Sequence, residues 1–192
     1  MDFTLSTFEN TTFSQVACPG QDLSDRDFSG CTFRRCDMSG CMFAHAAFAD
    51  CTFIDCNLSN VRVEGASFQG VTFEGCKLLG IMWSRINPVL VRWSYTKCRI
   101  TFCDFNTLSL PETRFVGCEI RETDFVGTNL TGSDFSGSDL TLCRFQDTIL
   151  EKVNFIGATN YAIDPRTNRV KHARFSYPEA LSLLYAFDIT IE

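Results

Sequence analysis

Imidazole, indole and phenol are scarce in this chain: two His, two Trp and four Tyr among 192 residues. His45 and His172 are the whole supply of the side chain most often used as a general base, and neither lies beside a Ser or Cys in a nucleophile motif. No glycine-rich phosphate loop is present. No C-x-x-C pair occurs, although zinc sites use such close spacings. Enzymatic chemistry, metal ligation and a cofactor therefore have no residues to rest on. No apolar run approaches the roughly 18 residues that cross a bilayer, so no membrane partner is expected. The stretch from Met1 to Phe13 lacks a basic segment followed by an apolar one, so no secretion signal is read there. The expectation is a cytoplasmic protein with reduced thiols. Asn10-Thr11-Thr12 and Asn129-Leu130-Thr131 are then chance glycosylation matches. Positive charge is short too: 17 Lys and Arg stand against 23 Asp and Glu, a net charge of −6. Nucleic acid needs cations to neutralise its phosphates and is not an expected partner.

What the chain has instead is Phe and Cys, 19 and 11 residues. From Thr128 to Leu142 it reads TNLTG, SDFSG, SDLTL. The third residue of each five belongs to a longer series: Ile100, Phe105, Leu110, Phe115, Ile120, Phe125, Leu130, Phe135, Leu140, Phe145, Leu150, Phe155. A helix repeats about every 3.6 residues and a strand about every two, so neither yields this pattern; a repeat architecture does. The first half keeps the period in another phase, from Phe3, Phe8 and Phe13 to Phe73, Leu78 and Trp83, and 16 of the 19 Phe fall on the centres. Two residues before the centres runs a smaller series, including Cys31, Cys36, Cys51, Cys76, Cys103, Thr113, Ser133 and Cys143.

Residues two apart on an extended chain face the same side. With a corner every five residues, four repeats close a square coil of twenty, and both series point inward. Opposite faces of the second half then carry Phe, and the other two Leu or Ile. About eight coils stacked at strand spacing make a rod roughly 40 Å long. Ten of the eleven Cys take the small inward position, with Cys18 on a centre, and so read as structural thiols.

These blocks match A-(D/N)-(L/F)-x-x, and on that basis the chain resembles the pentapeptide-repeat proteins. The resemblance implies an all-β fold, a right-handed quadrilateral β-helix, over residues 1–160. The register breaks once near Ile86-Asn87-Pro88, where two residues are extra. That divides the β-helix into two sub-stacks joined near 86–92. Pro88 fits a bulge because it lacks the ladder N–H, and the Asn87–Pro88 bond is open to being cis. The bulge either simply joins the stacks or forms a contact bump carrying Arg85, Arg92 and Trp93.

Residues 161–192 are expected to form a C-terminal cap and dimerisation segment. Asp164 to Asn168 reads as a turn and Val170 to Phe175 as an extended piece. Ser176-Tyr177-Pro178-Glu179 has the form of a capping box, opening a short helix over Ala180 to Tyr185. Phe187, Ile189 and Ile191 alternate as a possible strand. The open end of a β-helix needs covering, and the remaining apolar surface suggests a second copy of the chain. Phe175, Leu181, Leu184, Tyr185, Phe187, Ile189 and Ile191 are the expected dimer interface.

The charge belongs to the rod: residues 1–160 carry 19 acidic and 13 basic side chains, and the tail is balanced. Asp104 and Asp124, twenty apart, share a face, as do Glu119 and Asp139, while Asp134 lies on a neighbouring one. Arg99 and Arg144 share these columns. The acidic faces either keep the rod soluble, as in a scaffold or assembly protein, or mimic a DNA duplex in a basic groove. The loop-poor rod with its tail NYAIDPRTNRVKHARFSYPEALSLLYAFDI is similar to the topoisomerase-poison resistance branch of the family. That branch includes the Qnr quinolone-resistance proteins and immunity proteins against albicidin and microcin. The similarity implies a C-terminal dimer that binds DNA gyrase, and also topoisomerase IV, and relieves poisoning by a toxin or fluoroquinolone. Qnr members often carry long loops, for which this chain has no room, so the expectation leans toward a natural-product toxin such as albicidin.

Overall fold

The structure, a computed structural model, describes residues 3–89 and 91–189. Each five-residue block contributes a short extended piece and then a corner residue with positive φ, from Asn10 (46°) to His172 (61°). Gly, Asn and Asp fill most corners, being the residues that enter left-handed backbone at least cost. Four corners close one coil, so Phe8 pairs with Phe28 and Phe13 with Phe33, always in parallel. The result is an all-β parallel solenoid of about eight coils with very little helix.

The first face holds β1 (Thr7–Glu9), β3 (Asp27–Ser29), β5 (Ala47–Ala49) and β7 (Ser67–Gln69). The second holds β2 (Thr12–Ser14), β4 (Thr32–Arg34), β6 (Thr52–Ile54), β8 (Val71–Glu74), β10 (Trp93–Thr96) and β12 (Arg114–Val116). On the third, bridges from Ala17 to Lys77 lead into β9 (Lys77–Leu79), β11 (Arg99–Thr101) and β13 (Glu119–Arg121). Single bridges hold the fourth: Asp22 to Met42 to Arg62, then Met82 to Asp104 to Asp124 to Arg144.

Both inward series are buried, as their spacing requires. Phe13, Phe33, Phe53, Phe73, Tyr95, Phe115, Phe135, Phe155 and Phe175 form one column of rings on the second face. Neighbouring centroids in it are 4.6 to 5.4 Å apart and the planes within 16°. Stacked aromatic pairs add about 0.5–1.5 kcal/mol each to the burial itself. The small inward residues have a second role. Cys31 Sγ donates to Phe8 O (3.4 Å), Thr128 Oγ1 to Phe105 O (2.9 Å) and Ser138 Oγ to Phe115 O (2.6 Å), each tying one coil to the one before. All eleven thiols are free and buried. Burial pushes Cys51, Cys103 and Cys143 up to about 12, which keeps them as unreactive thiols.

The register break is absorbed without interrupting the core. Trp83–Arg85 forms a 3₁₀ turn, and beyond it Phe73 pairs with Tyr95, Lys77 with Arg99 and Met82 with Asp104, each two residues further on than elsewhere. Asn87–Pro88 is trans; the cis bond among the described residues is Tyr177–Pro178. Trp93 is not part of a surface bump. It takes an inward position elsewhere given to a small residue, and its indole N–H donates to Phe68 O at 3.1 Å. The indole fills space beside Trp83, 5.0 Å away between centroids. Arg85 is ion-paired to Glu64 (3.2 Å), and Arg92 is exposed.

The tail departs from expectation in three places. The coil does not stop near residue 160: Ile149 pairs with Arg169, and β14 (Asn154–Phe155) with β15 (Arg174–Phe175). Ser176 does not cap a helix; its hydroxyl accepts from Gly157 N at 3.0 Å. The terminal helix is 3₁₀, Glu179–Phe187, with Pro178 preceding it and no side-chain cap. Phe187 therefore lies in the helix rather than a strand, Ile189 follows it, and Ile191 lies outside the described residues.

Candidate functional site

The residue before a centre points out of the tube but hugs its corner. Asp104 Oδ1 accepts from Asn106 N (2.8 Å), Asp134 Oδ1 from Ser136 N (3.0 Å) and Asp139 Oδ1 from Thr141 N (3.2 Å) and its hydroxyl (2.6 Å). These carboxylates brace turns, the Asx arrangement that suits Asp and Asn to the position.

The five expected acidic residues do not form one surface. Asp104 and Asp124 are on the fourth face, Glu119 and Asp139 on the third, and Asp134 on the second, paired with Arg114 and Asn154. Each also finds an internal partner. Ser84 Oγ donates to Asp104 (2.6 Å), Asn154 Nδ2 to Asp134 (2.9 Å) and Arg144 to Asp124 (3.4 Å). Arg99 and Arg121 both meet Glu119 at 3.0 Å, and Arg121 reaches Asp139 at 2.8 Å. Partial burial pushes the Asp139 carboxyl up, but bonds from Thr141 and Asn160 and the Arg121 guanidinium outweigh it and hold it below the usual carboxylate range. Spacing of twenty finds the columns and, within them, Arg99 and Arg144; it misses Arg121, which reaches Glu119 and Asp139 from two residues along the strand.

Charge is also uneven along the rod. Residues 1–76 carry ten acids and four bases, residues 77–114 six bases and two acids, and residues 115–160 seven acids and three bases. A basic girdle thus surrounds the register break between two acidic ends. Among the described residues, exposed carboxylates outside ion pairs run along the whole rod: Glu9, Asp22, Asp25, Asp27, Asp50 and Glu74 before the break, and Glu112, Glu122 and Asp147 after it. Asp22, Asp25 and Asp27 bracket one corner, the first on the fourth face and the last on the first. Three acids within six residues signal this corner, but a search for residues twenty apart passes over it.

At the C-terminal end the expected interface residues separate. Phe175 is the last ring of the core column, 5.1 Å from Phe155, and Leu181 and Leu184 are half-buried. Tyr185 (75% exposed), Phe187 (50%) and Ile189 (50%) face outward, with Tyr177 (82%) as an addition. Beside them a groove of about 570 Å³ is lined by Leu142, Tyr161, Ala162, Ile163 and Tyr185. A second groove of about 530 Å³ lies at the register break, between Arg92 and Glu112. Among the described residues no three His, Cys, Asp or Glu side chains converge as metal ligands.

Two overlapping family matches cover most of this repeat. Residues 26–91 match the pentapeptide repeat region, and residues 2–40 and 98–137 match pentapeptide repeats in eight copies. The chain belongs to the pentapeptide-repeat family. Among solved structures it is similar to full-length QnrB1, a plasmid-mediated fluoroquinolone resistance protein, at 17% identity and a TM-score of 0.71, over 95% of this chain and all of that one. It is likewise similar to a trypsin-treated variant of QnrB1, at 20% identity and a TM-score of 0.66, over 97% of this chain and 90% of that one. Identities this low speak for the shared fold. No curated protein sequence matches the chain.

Proposed function

We propose that this pentapeptide-repeat protein is a non-enzymatic, cytoplasmic homodimer that binds DNA gyrase and relieves its poisoning by an albicidin-like toxin or a fluoroquinolone. The observation that supports it most is the superposition of nearly the whole chain on a fluoroquinolone resistance protein. The contact is assigned to the corner of Asp22, Asp25 and Asp27, which forms no ion pair among the described residues, whereas Asp104, Glu119, Asp124, Asp134 and Asp139 are held by side chains within the rod; topoisomerase IV is a second target. Asp22 accepts from Ser24 N at 2.9 Å, but none of the three carboxylates is ion-paired, so docking into a basic DNA-binding groove breaks no ion pair. Tyr185, Phe187 and Ile189 supply the dimer contact.

Capture of purified gyrase tests the binding: it should be strong at low salt and weaken as salt screens the contact. Absence of capture at any salt concentration contradicts the proposal. A single observation favours a scaffold role instead, namely that the five columnar acids serve turns and ion pairs. Under that reading Asp22, Asp25 and Asp27 can be changed to Lys with no loss of gyrase capture, because there is none. For the dimer, Tyr185→Glu with Phe187→Glu should sediment as a monomer while the wild type sediments as a dimer. A double variant that remains dimeric places the interface elsewhere.

A further inference from the structure

Among the described residues, nineteen that are not glycine have positive φ, and seventeen of these are polar or charged. The other two are Phe102 (φ 53°) and Leu142 (φ 58°). Both stand on the corner that follows the third face. Backbone bonds carry that column from coil to coil: Gly80 N to Thr101 O (2.9 Å), Phe102 N to Arg121 O (3.2 Å), Glu122 N to Thr141 O (3.0 Å). In the first half the same corner is Gly20, Gly40, Asn60 and Gly80, the residues that left-handed backbone favours. In the second half it reads Phe102, Glu122, Leu142. Bulky side chains are disfavoured at such φ, and here their burial offers no compensation, since Phe102 is 54% and Leu142 69% exposed. The corner itself gains nothing from either residue.

We infer that Phe102 and Leu142 are anchors for an amphipathic helix of a protein partner, with Glu122 receiving a basic residue between them. Two coils separate the anchors, about 10 Å at strand spacing, close to the roughly 10.5 Å spanned by seven residues of an α-helix. Glu122 stands midway, exposed and without an ion pair among the described residues. It calls for Lys or Arg three or four residues after the first anchor contact. The apolar wall continues past Leu142 into the groove of Ala162 and Tyr185. A second copy of this chain does not fit. A two-fold pairing that sets Phe102 against Leu142 of the other rod brings the two Glu122 carboxylates together, and like charges oppose association. If gyrase is the partner proposed above, the helix belongs to gyrase; the backbone and exposure of Phe102 and Leu142 are the same whatever the partner.

The test is a synthetic helical peptide with Leu at two positions seven apart and Lys at the third and fourth positions after the first Leu, followed by fluorescence anisotropy. The wild-type protein should bind it at least tenfold more tightly than Phe102→Gly/Leu142→Gly. Glu122→Lys should lose the Lys peptide and gain one carrying Glu in its place. The double-glycine variant should melt at the same temperature or higher, since glycine suits the corner. Equal binding by wild type and variant, no binding by wild type, or a lower melting temperature overturns the inference. Gyrase capture separates the two ideas: no capture by wild type refutes the proposed function alone, while equal capture by wild type and double variant removes this corner from the gyrase contact.

Discussion

The coils before Trp83 and those after Tyr95 solve the same packing problem differently. Before the break, rings fill the first and second faces in every coil, with Phe28 and Phe33 meeting edge-on at 5.5 Å, and Phe3 and Phe43 add rings on the fourth. After it, rings occupy opposite faces, with Phe115 and Phe125 edge-on at 5.8 Å. The second-face column is common to both; the partner column moves from the first face to the fourth. At the seam, Trp83 and Trp93 fill the tube while that exchange takes place. Close-packed interiors require a filled cross-section, which at least two rings per coil, completed by aliphatic residues and Cys18, supply in either arrangement. The small inward residues differ in the same spirit. Cys predominates before the break and Ser or Thr is frequent after it, yet both donate to the preceding coil.

The largest expected effect breaks that shared core. Phe28→Ala before the seam and Phe135→Ala after it should each cost about 3–5 kcal/mol in urea denaturation. Because one buried cluster runs through the seam, each should shift a single transition. Two separated transitions would show that the stacks fold independently. Next comes the hydroxyl series: Ser138→Ala strands Phe115 O and Cys118 N, both bonded to that hydroxyl, and should cost about 1–3 kcal/mol by the same measurement.

The thiols sharpen the contrast through pH. The folded values of Cys51, Cys103 and Cys143 lie above the unfolded thiol range, so their contribution is complete below about pH 8.5 and is lost as pH rises toward about 12. Melting curves between neutral pH and about pH 9 should show a loss on the order of 1 kcal/mol for each such thiol. Cys103→Ser should remove its share of that slope. The smallest effect is expected at the exposed ion pairs: Arg121→Ala should change stability by about 0–1 kcal/mol, although it contacts both Glu119 and Asp139.

The tube was legible because Leu130, Phe135 and Leu140 recur at a spacing that no single helix or strand produces. Phe175 was hidden because the coil from Tyr161 to Asn168 is irregular, Ile163 pairing with Phe145 before the period resumes at Arg169. Trp93 was hidden because a large residue occupies a position elsewhere kept small. The acidic columns were legible together with Arg99 and Arg144 in them, but Arg121 reaching Glu119 and Asp139 from the neighbouring position is a three-dimensional relation that periodicity does not carry. That Asp22, Asp25 and Asp27 form no ion pair appears once partners are assigned, whereas their clustering and the basic girdle are local charge counts that a period of twenty does not register.

The central claim, a rod that shields gyrase, is tested most directly by a supercoiling assay with purified gyrase poisoned by albicidin or ciprofloxacin. The wild-type protein should restore supercoiling at moderate concentration and inhibit it in excess, and Asp22→Lys/Asp25→Lys/Asp27→Lys should do neither. No restoration and no inhibition by the wild type at any concentration would contradict the account.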